Sequence, residues 1–156
     1  MVLNPYRLKV NFDGIESSEQ VISNTMVMTN YSNVPIQVNA MAVGTVGRGS
    51  DMYFVSSPPS ENAVGKELFA YLEFLNSTGS RAPRTWNSRY INASNQLLVT
   101  GHSNTKEGVL YLDAFDESPT YGIIHLFGSV SASPEEAWSS ADSMRVSVTF
   151  TFVPMI

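Results

Sequence analysis

The segment from Met144 to Phe152 alternates apolar and polar side chains without an exception. Successive side chains of a β-strand point to opposite faces of a sheet, so this period of two is typical of a strand with one face in a core and the other in water. The predicted core face carries Met144, Val146, Val148, Phe150 and Phe152, and the outer face carries Arg145, Ser147, Thr149 and Thr151. The pattern therefore requires a β-sheet that is covered on one side.

Further strand candidates follow one another along the chain, separated by turn-forming residues. They are residues 6–12, 20–29, 34–43, 52–55, 67–75, 96–100, 108–113 and 121–131. Asn30 to Asn33 supply turn chemistry between the second and the third candidate, which predicts a hairpin. Segment 67–75 is apolar on both faces, which favours a central strand, although nine residues of this composition also suit a helix.

A helix start is predicted close to the last strand. Ser133 has the form of an N-cap, Pro134 stands at the first helical position and Glu136 completes a capping box. We therefore expect a short helix over residues 133–139, with Trp138 packing over the end of the core. No repeat or linker divides the chain, so the sequence predicts one all-β domain over residues 1–156, an antiparallel β-sandwich of the jelly-roll or immunoglobulin-like type.

The composition excludes several classes of function. A net charge of -5 argues against binding to a phosphate backbone, and the absence of cysteine excludes disulfides, thiolate nucleophiles and cysteine-based metal sites. No apolar run reaches the roughly 18 residues that a membrane helix needs, so we expect no membrane insertion. Only 15% of the residues are charged, which suits an extracellular or particle-surface protein. The N-terminus lacks the pattern of a signal peptide, so the chain is either intracellular or a mature or truncated form, and we expect the second.

The candidates for catalysis and metal binding are few. Asp113, Asp116 and Glu117 offer oxygen ligands for calcium, but their spacing matches no established loop and a solvated turn explains them better. The two histidines, His102 and His125, lack the neighbouring residues that a triad or a metal site requires. The sequence therefore predicts no enzyme, no cofactor and no metal.

A polar stretch from residue 76 to residue 95 contains the most distinctive candidate surface. Arg84, Trp86, Arg89 and Tyr90 lie close together in it. Aromatic rings among arginine and asparagine suit the binding of sugars, and tryptophan, tyrosine and arginine also dominate protein interfaces. The simpler interpretation, which we favour, is that Trp86 and Tyr90 only anchor a long loop on the core.

Three segments resemble secreted and cell-surface β-sandwich proteins of Gram-positive bacteria, namely the biofilm-fibre and camelysin-like group and the WxL-type surface domains. They are residues 4–8, residues 29–38, and a third segment made of Glu136 to Trp138, Asp142 and Val146 to Phe152. The resemblance implies a sandwich that serves as a fibre, matrix or envelope component. In longer relatives another strand precedes the segment that corresponds to residues 4–8, whereas this chain starts there. This chain also lacks a Trp-x-Leu motif. The resemblance thus implies an open sheet edge that a neighbouring strand completes.

These observations predict a non-catalytic structural or interaction protein at the cell surface, which forms a homo-oligomer or polymer through sheet edges. The expected assembly edges are the first strand, with Tyr6, Leu8, Val10 and Phe12, and the last strand, with Met144, Val146, Val148, Phe150 and Phe152. Two alternatives remain. One is a structural protein of a phage or virus particle, and the other is a carbohydrate-binding module that uses the loop aromatics, with a cell-surface glycan as its ligand.

Overall fold

The computed structural model describes residues 1–77, 96–99, 101, 108–115 and 120–156. Within these ranges the protein consists of β-strands and connections, and it contains no helix. The strands are β1 (Val2–Leu3), β2 (Val10–Phe12), β3 (Ile15–Ser17), β4 (Val21–Ile22), β5 (Met26–Asn30), β6 (Ile36–Val46), β7 (Tyr53–Phe54), β8 (Glu67–Ser77), β9 (Gln96–Leu98), β10 (Gly108–Leu112), β11 (Thr120–Val130) and β12 (Met144–Pro154).

Two sheets pack against each other. The larger sheet has the order β5-β11-β8, and both β7 and β9 pair with the other side of β8. The smaller sheet has the order β10-β6-β12, and the pairs β1-β4 and β2-β3 form two short additional ribbons. All pairings are antiparallel except that of β7 with β8. This arrangement confirms the predicted all-β sandwich, and the predicted central strand is β8.

The core lies between these two sheets. Phe74 and Leu68 of β8, Val38 of β6 and Leu110 of β10 are its largest fully buried apolar side chains from these strands. The larger sheet approaches β10 closely at Gly122, where an added Cβ atom would overlap the side chains of Leu110 and Leu112. A glycine in this strand interior therefore lets a second layer of the sandwich come near.

The predicted hairpin between residues 20–29 and 34–43 is wrong. β5 pairs with β11, whereas β6 pairs with β10 and β12, so the two segments belong to different sheets. The buried side chain of Asn30 explains the change of direction. Its amide donates to the carbonyl oxygens of Val34 at 2.8 Å and Asp113 at 3.0 Å, and its oxygen accepts from the Ser32 amide at 2.9 Å. The turn chemistry is present, but it makes a corner between two sheets.

The predicted helix over residues 133–139 is also wrong. The amide of Glu135 donates to the carbonyl oxygen of Val64 at 2.8 Å, a partner on another part of the chain. The indole nitrogen of Trp138 donates to the carbonyl oxygen of Ser131 at 2.9 Å. These contacts hold the segment as an irregular connection between β11 and β12. The expected packing of Trp138 against the core is confirmed.

The first predicted strand is shorter than its alternating pattern indicates. Only Val10–Phe12 is a strand, and it pairs with β3 in a short hairpin. The side chain of Asn4 bonds both the amide and the carbonyl of Leu8, at 2.9 Å and 2.7 Å, and Arg7 has a positive φ of 52°. This local turn interrupts the strand, and it leaves Tyr6 56% and Leu8 62% exposed.

Candidate functional site

The last strand, β12, forms an edge of the smaller sheet. It pairs with β6 over all of its 11 residues, in an unbroken register from Met144 opposite Val46 to Pro154 opposite Ile36. Among the residues that the structure describes, no strand pairs with its other side. Two other edge strands, β10 at the opposite edge of the same sheet and β5 in the larger sheet, have five residues each. β12 is therefore the longest edge in the described part of the sandwich.

Two hydrogen bonds at the ends of this ladder show which backbone groups face outward. Gly47 donates to the carbonyl oxygen of Ser143 at 2.7 Å, and Met155 donates to that of Pro35 at 2.9 Å. Hydrogen-bonded pairs alternate along an antiparallel ladder, so the odd-numbered residues of β12 bond to β6. The even-numbered residues then direct their backbone groups toward the free edge: Met144, Val146, Val148, Phe150, Phe152 and Pro154.

The free edge carries little of the protection that natural edge strands use. Charges, prolines, bulges and covering loops normally block such edges. Here the register contains no bulge, residues 146–152 carry no charge, and the one proline, Pro154, stands at the end of the strand. The predicted core face is half-buried from Met144 to Phe150, as expected, but Phe152 is 57% exposed. Within the described residues, the edge is therefore both unpaired and partly apolar.

A buried lysine fixes the connection that leads into β12. Lys66, directly before β8, is 6% exposed, and its Nζ lies 2.9 Å from Asp51 Oδ1, 3.1 Å from Asp142 Oδ2 and 3.9 Å from Glu136 Oε2. Asp142 is 3% exposed and also accepts a hydrogen bond from the Ser50 hydroxyl at 2.8 Å. One cation thus joins the β6–β7 loop, the start of β8 and the β11–β12 connection.

The charges in this cluster shift one another's pKa. Burial alone would raise the pKa of Asp142, but hydrogen bonds from Ser139, Ser50 and Lys66 outweigh it and hold this pKa below 3.8. The hydrogen bond to Asp51 raises the pKa of Lys66, against the effect of burial. Lys66 therefore stays protonated and Asp142 stays ionised, so the contact is an ion pair.

Acid is expected to weaken the fold through this ion pair. Because the folded-state pKa of Asp142 lies below its ordinary value of 3.8, its contribution to stability is present above that value and is lost as the pH falls through the folded pKa. Asp51 acts in the same direction but is 54% exposed, so its share is small. The hydrogen bond with Asp51 raises the pKa of Glu136 above 4.5, so Glu136 adds slight stability as the pH falls from neutral.

Urea unfolding between about pH 6 and about pH 3 measures this dependence. As the pH falls, we expect a shallow rise in the free energy of unfolding, followed by a loss below pH 3.8. In the variant Asp142→Asn most of this loss should be absent, since its amide does not titrate. An unchanged loss below pH 3.8 in that variant would contradict the role of Asp142.

A shallow groove lies on the outer face of the larger sheet. Phe69, Tyr71 and Phe127 line it, with Arg7 at its rim and a volume of about 280 Å³. The rings of Tyr71 and Phe127 stack with centroids 5.7 Å apart, and Tyr71 and Phe69 are tilted with centroids 5.5 Å apart. These three aromatic residues are not among the candidate site residues that the sequence predicts. The signal for Phe69 and Tyr71 is the second apolar face of β8, which also suits a central strand buried on both faces.

Most of the other predicted site residues lie outside the part of the chain that the structure describes. Arg84, Trp86, Arg89 and Tyr90 lie outside the described residues, as do Asp116, Glu117 and His102. Asp113 is exposed. Within the described ranges, no group of three or more histidine, cysteine or acidic residues is placed to hold a metal ion. His125 lies on the outer face of β11, where its ring contacts Phe127 at a centroid distance of 4.1 Å.

Comparisons with known proteins give no relative for this chain. No family model, no curated protein and no solved structure matches it. Within the described residues there is also no helix long and apolar enough to cross a membrane.

Proposed function

We propose that the protein is a non-catalytic structural subunit that assembles through β-strand edges, as part of an extracellular fibre, matrix or cell envelope. The observation that carries this proposal is the free edge of β12. Eleven residues pair on one side only within the described chain, and the stretch 146–152 carries no charge. An edge of this kind is a template for a strand from another chain.

The backbone of the edge supplies the binding groups. Five outward N–H groups, from Met144, Val146, Val148, Phe150 and Phe152, are donors for an added strand, while the carbonyl groups beside them are acceptors. Main-chain hydrogen bonds give the affinity in β-strand addition. Exposed apolar side chains at the same end of the sheet add surface that a partner buries: Phe152, Val153, Met155 and Ile156.

The Lys66 cluster, formed by Lys66 with Asp51, Glu136 and Asp142, supports the same function. It joins Asp142, two residues before β12, to the start of β8. The amide of Gly47 also donates to the carbonyl oxygen of Ser143 at 2.7 Å. The edge strand therefore begins from a fixed point. A strand that is already ordered loses less conformational entropy when a partner binds, which favours assembly.

The experiment that tests this proposal replaces Val148 with proline and measures the molar mass by light scattering over a range of concentrations. Proline has no N–H, and the N–H of Val148 faces the free edge, so the substitution keeps every hydrogen bond to β6. We expect the wild-type chain to form concentration-dependent assemblies, and Val148→Pro to stay monomeric with an unchanged circular dichroism spectrum.

The matched control is Val148→Ile, which keeps the N–H and should assemble like the wild type. A wild-type protein that is monomeric at high concentration would overturn the proposal. Assembly of Val148→Pro at the wild-type level would show that another surface is responsible.

A further inference from the structure

We propose that the partner of the β12 edge is the β12 edge of a second copy, paired antiparallel in a register centred on Val148. This inference rests on the proposed function and names the partner of the same site. The two smaller sheets then join into one continuous sheet, with the order β10-β6-β12-β12-β6-β10 across a twofold axis.

The backbone of the edge is self-complementary in this register. Val148 lies opposite Val148 of the second copy, Val146 opposite Phe150, and Met144 opposite Phe152. All of these residues are even-numbered, so their backbone groups face the free edge and each opposed pair exchanges both hydrogen bonds. Every outward N–H from Met144 to Phe152 meets a carbonyl of the other copy.

The side chains also match in this register. On the core face, every opposed pair is apolar, and Phe152, which is 57% exposed, comes to lie beside Met144 of the second copy. On the outer face, Ser147 lies opposite Thr149, and Arg145 lies opposite Thr151. Like charges opposite each other destabilise a strand pair, and this register brings none together.

Pro154 selects this register over its neighbours. A shift of one step toward the C-terminus places Pro154 opposite Met144, where it offers no N–H and its ring adjoins the new ladder. A shift in the other direction leaves Phe152 without a partner in each copy. A shift that opposes odd-numbered with even-numbered residues fails, because the odd-numbered groups already bond to β6.

Strand length favours β12 itself as the partner. The edge strands β5 and β10 have five residues each, whereas β12 has 11. Pairing with either short strand would leave about half of the outward groups of β12 without a hydrogen bond. A second β12 satisfies them along the whole uncharged stretch.

Disulfide cross-linking tests the register, because the chain contains no cysteine of its own. At the proposed twofold axis the two Val148 Cα atoms lie about 5.5 Å apart, within the range of roughly 4.4–6.8 Å that a disulfide spans. The matched control is Val146→Cys, a half-buried residue on the same face. Its two copies are offset by about 13 Å along the strands in this register.

We expect Val148→Cys to form a covalent dimer under mild oxidation, seen by non-reducing electrophoresis and intact mass, and Val146→Cys to form none.

A second pair of variants uses exposed positions, so that a folding defect of Val148→Cys does not decide the result. A mixture of Ser147→Cys and Thr149→Cys should form the mixed dimer in excess of either homodimer, since these positions are opposed only between copies. Equal cross-linking of Val146→Cys and Val148→Cys, or no excess of the mixed dimer, would overturn the self-paired register. If Val148→Pro still abolishes assembly in that case, the proposed function stands and only the partner strand is wrong.

Discussion

Replacement of Lys66 by methionine is expected to lower the melting temperature more than the loss of any exposed lysine. Methionine fills a similar space but removes the cation that Asp51, Asp142 and Glu136 share. Asp142, at 3% exposure, would keep a buried negative charge with only hydrogen bonds from Ser139 and Ser50. Removal of one partner of a buried ion pair is strongly destabilising for this reason.

Two comparisons make this prediction specific. Lys9→Met removes a lysine whose 2.7 Å ion pair with Glu16 is exposed, and it should change the melting temperature little. The double variant Lys66→Met with Asp142→Asn should recover part of the loss, because the uncompensated charge is gone. Equal melting temperatures for the single and the double variant would contradict a charge-based effect.

The acid dependence of Lys66→Met should also weaken. Without the ammonium group, only the hydrogen bonds from Ser139 and Ser50 oppose the effect of burial, so the folded-state pKa of Asp142 rises from its value in the wild-type chain. The variant should therefore lose less stability through Asp142 as the pH falls than the wild-type chain does.

The second large effect is expected from Phe74→Ala in the middle of β8. Phe74 is fully buried between the two sheets and is the largest such side chain in the described core. Truncation of a buried phenylalanine removes apolar contacts and leaves a cavity, which typically costs about 3–5 kcal/mol. Urea unfolding should show this loss as a lower midpoint with an unchanged slope.

Phe152→Ala is the matched control, since it removes the same side chain from an exposed position on β12. It should leave the free energy of unfolding of the monomer nearly unchanged but weaken assembly, because Phe152 lies at the proposed junction. A loss of stability similar to that of Phe74→Ala would mean that Phe152 is packed in the folded monomer.

The sequence predicted the strands with the clearest patterns. β12 shows a strict period of two because one of its faces is half-buried. β8 is apolar on both faces because one face packs in the core and the other carries the contacting rings of Phe69 and Tyr71. Both patterns reflect which sides of a strand avoid water. They do not specify a neighbour, so the sequence did not show that β5 and β6 belong to different sheets.

The predictions were wrong where a segment with a local capping or turn pattern makes hydrogen bonds to a distant part of the chain. The capping residues Ser133 and Pro134 are present, yet the amide of Glu135 donates to the carbonyl oxygen of Val64. Asn30 has turn chemistry, but its side chain donates to the carbonyl oxygen of Asp113 and makes a corner instead of a hairpin. The Lys66 cluster was not predicted, because Lys66 and its acidic partners come from three separate connections and no spacing rule links them. Sites of this kind depend on the tertiary fold.

The pairing of β6 with β12 also has a consequence for the order of folding. β6 is the centre of its sheet, but β7 to β11 lie between it and β12 in the chain. During synthesis one side of β6 therefore stays unpaired until almost all other strands have been made. Contacts between segments so distant in the sequence also form slowly. Throughout that interval the unpaired side of β6 can accept the β12 strand of another chain that has not yet formed its own β6–β12 pair, so crowded expression should favour strand-exchanged dimers.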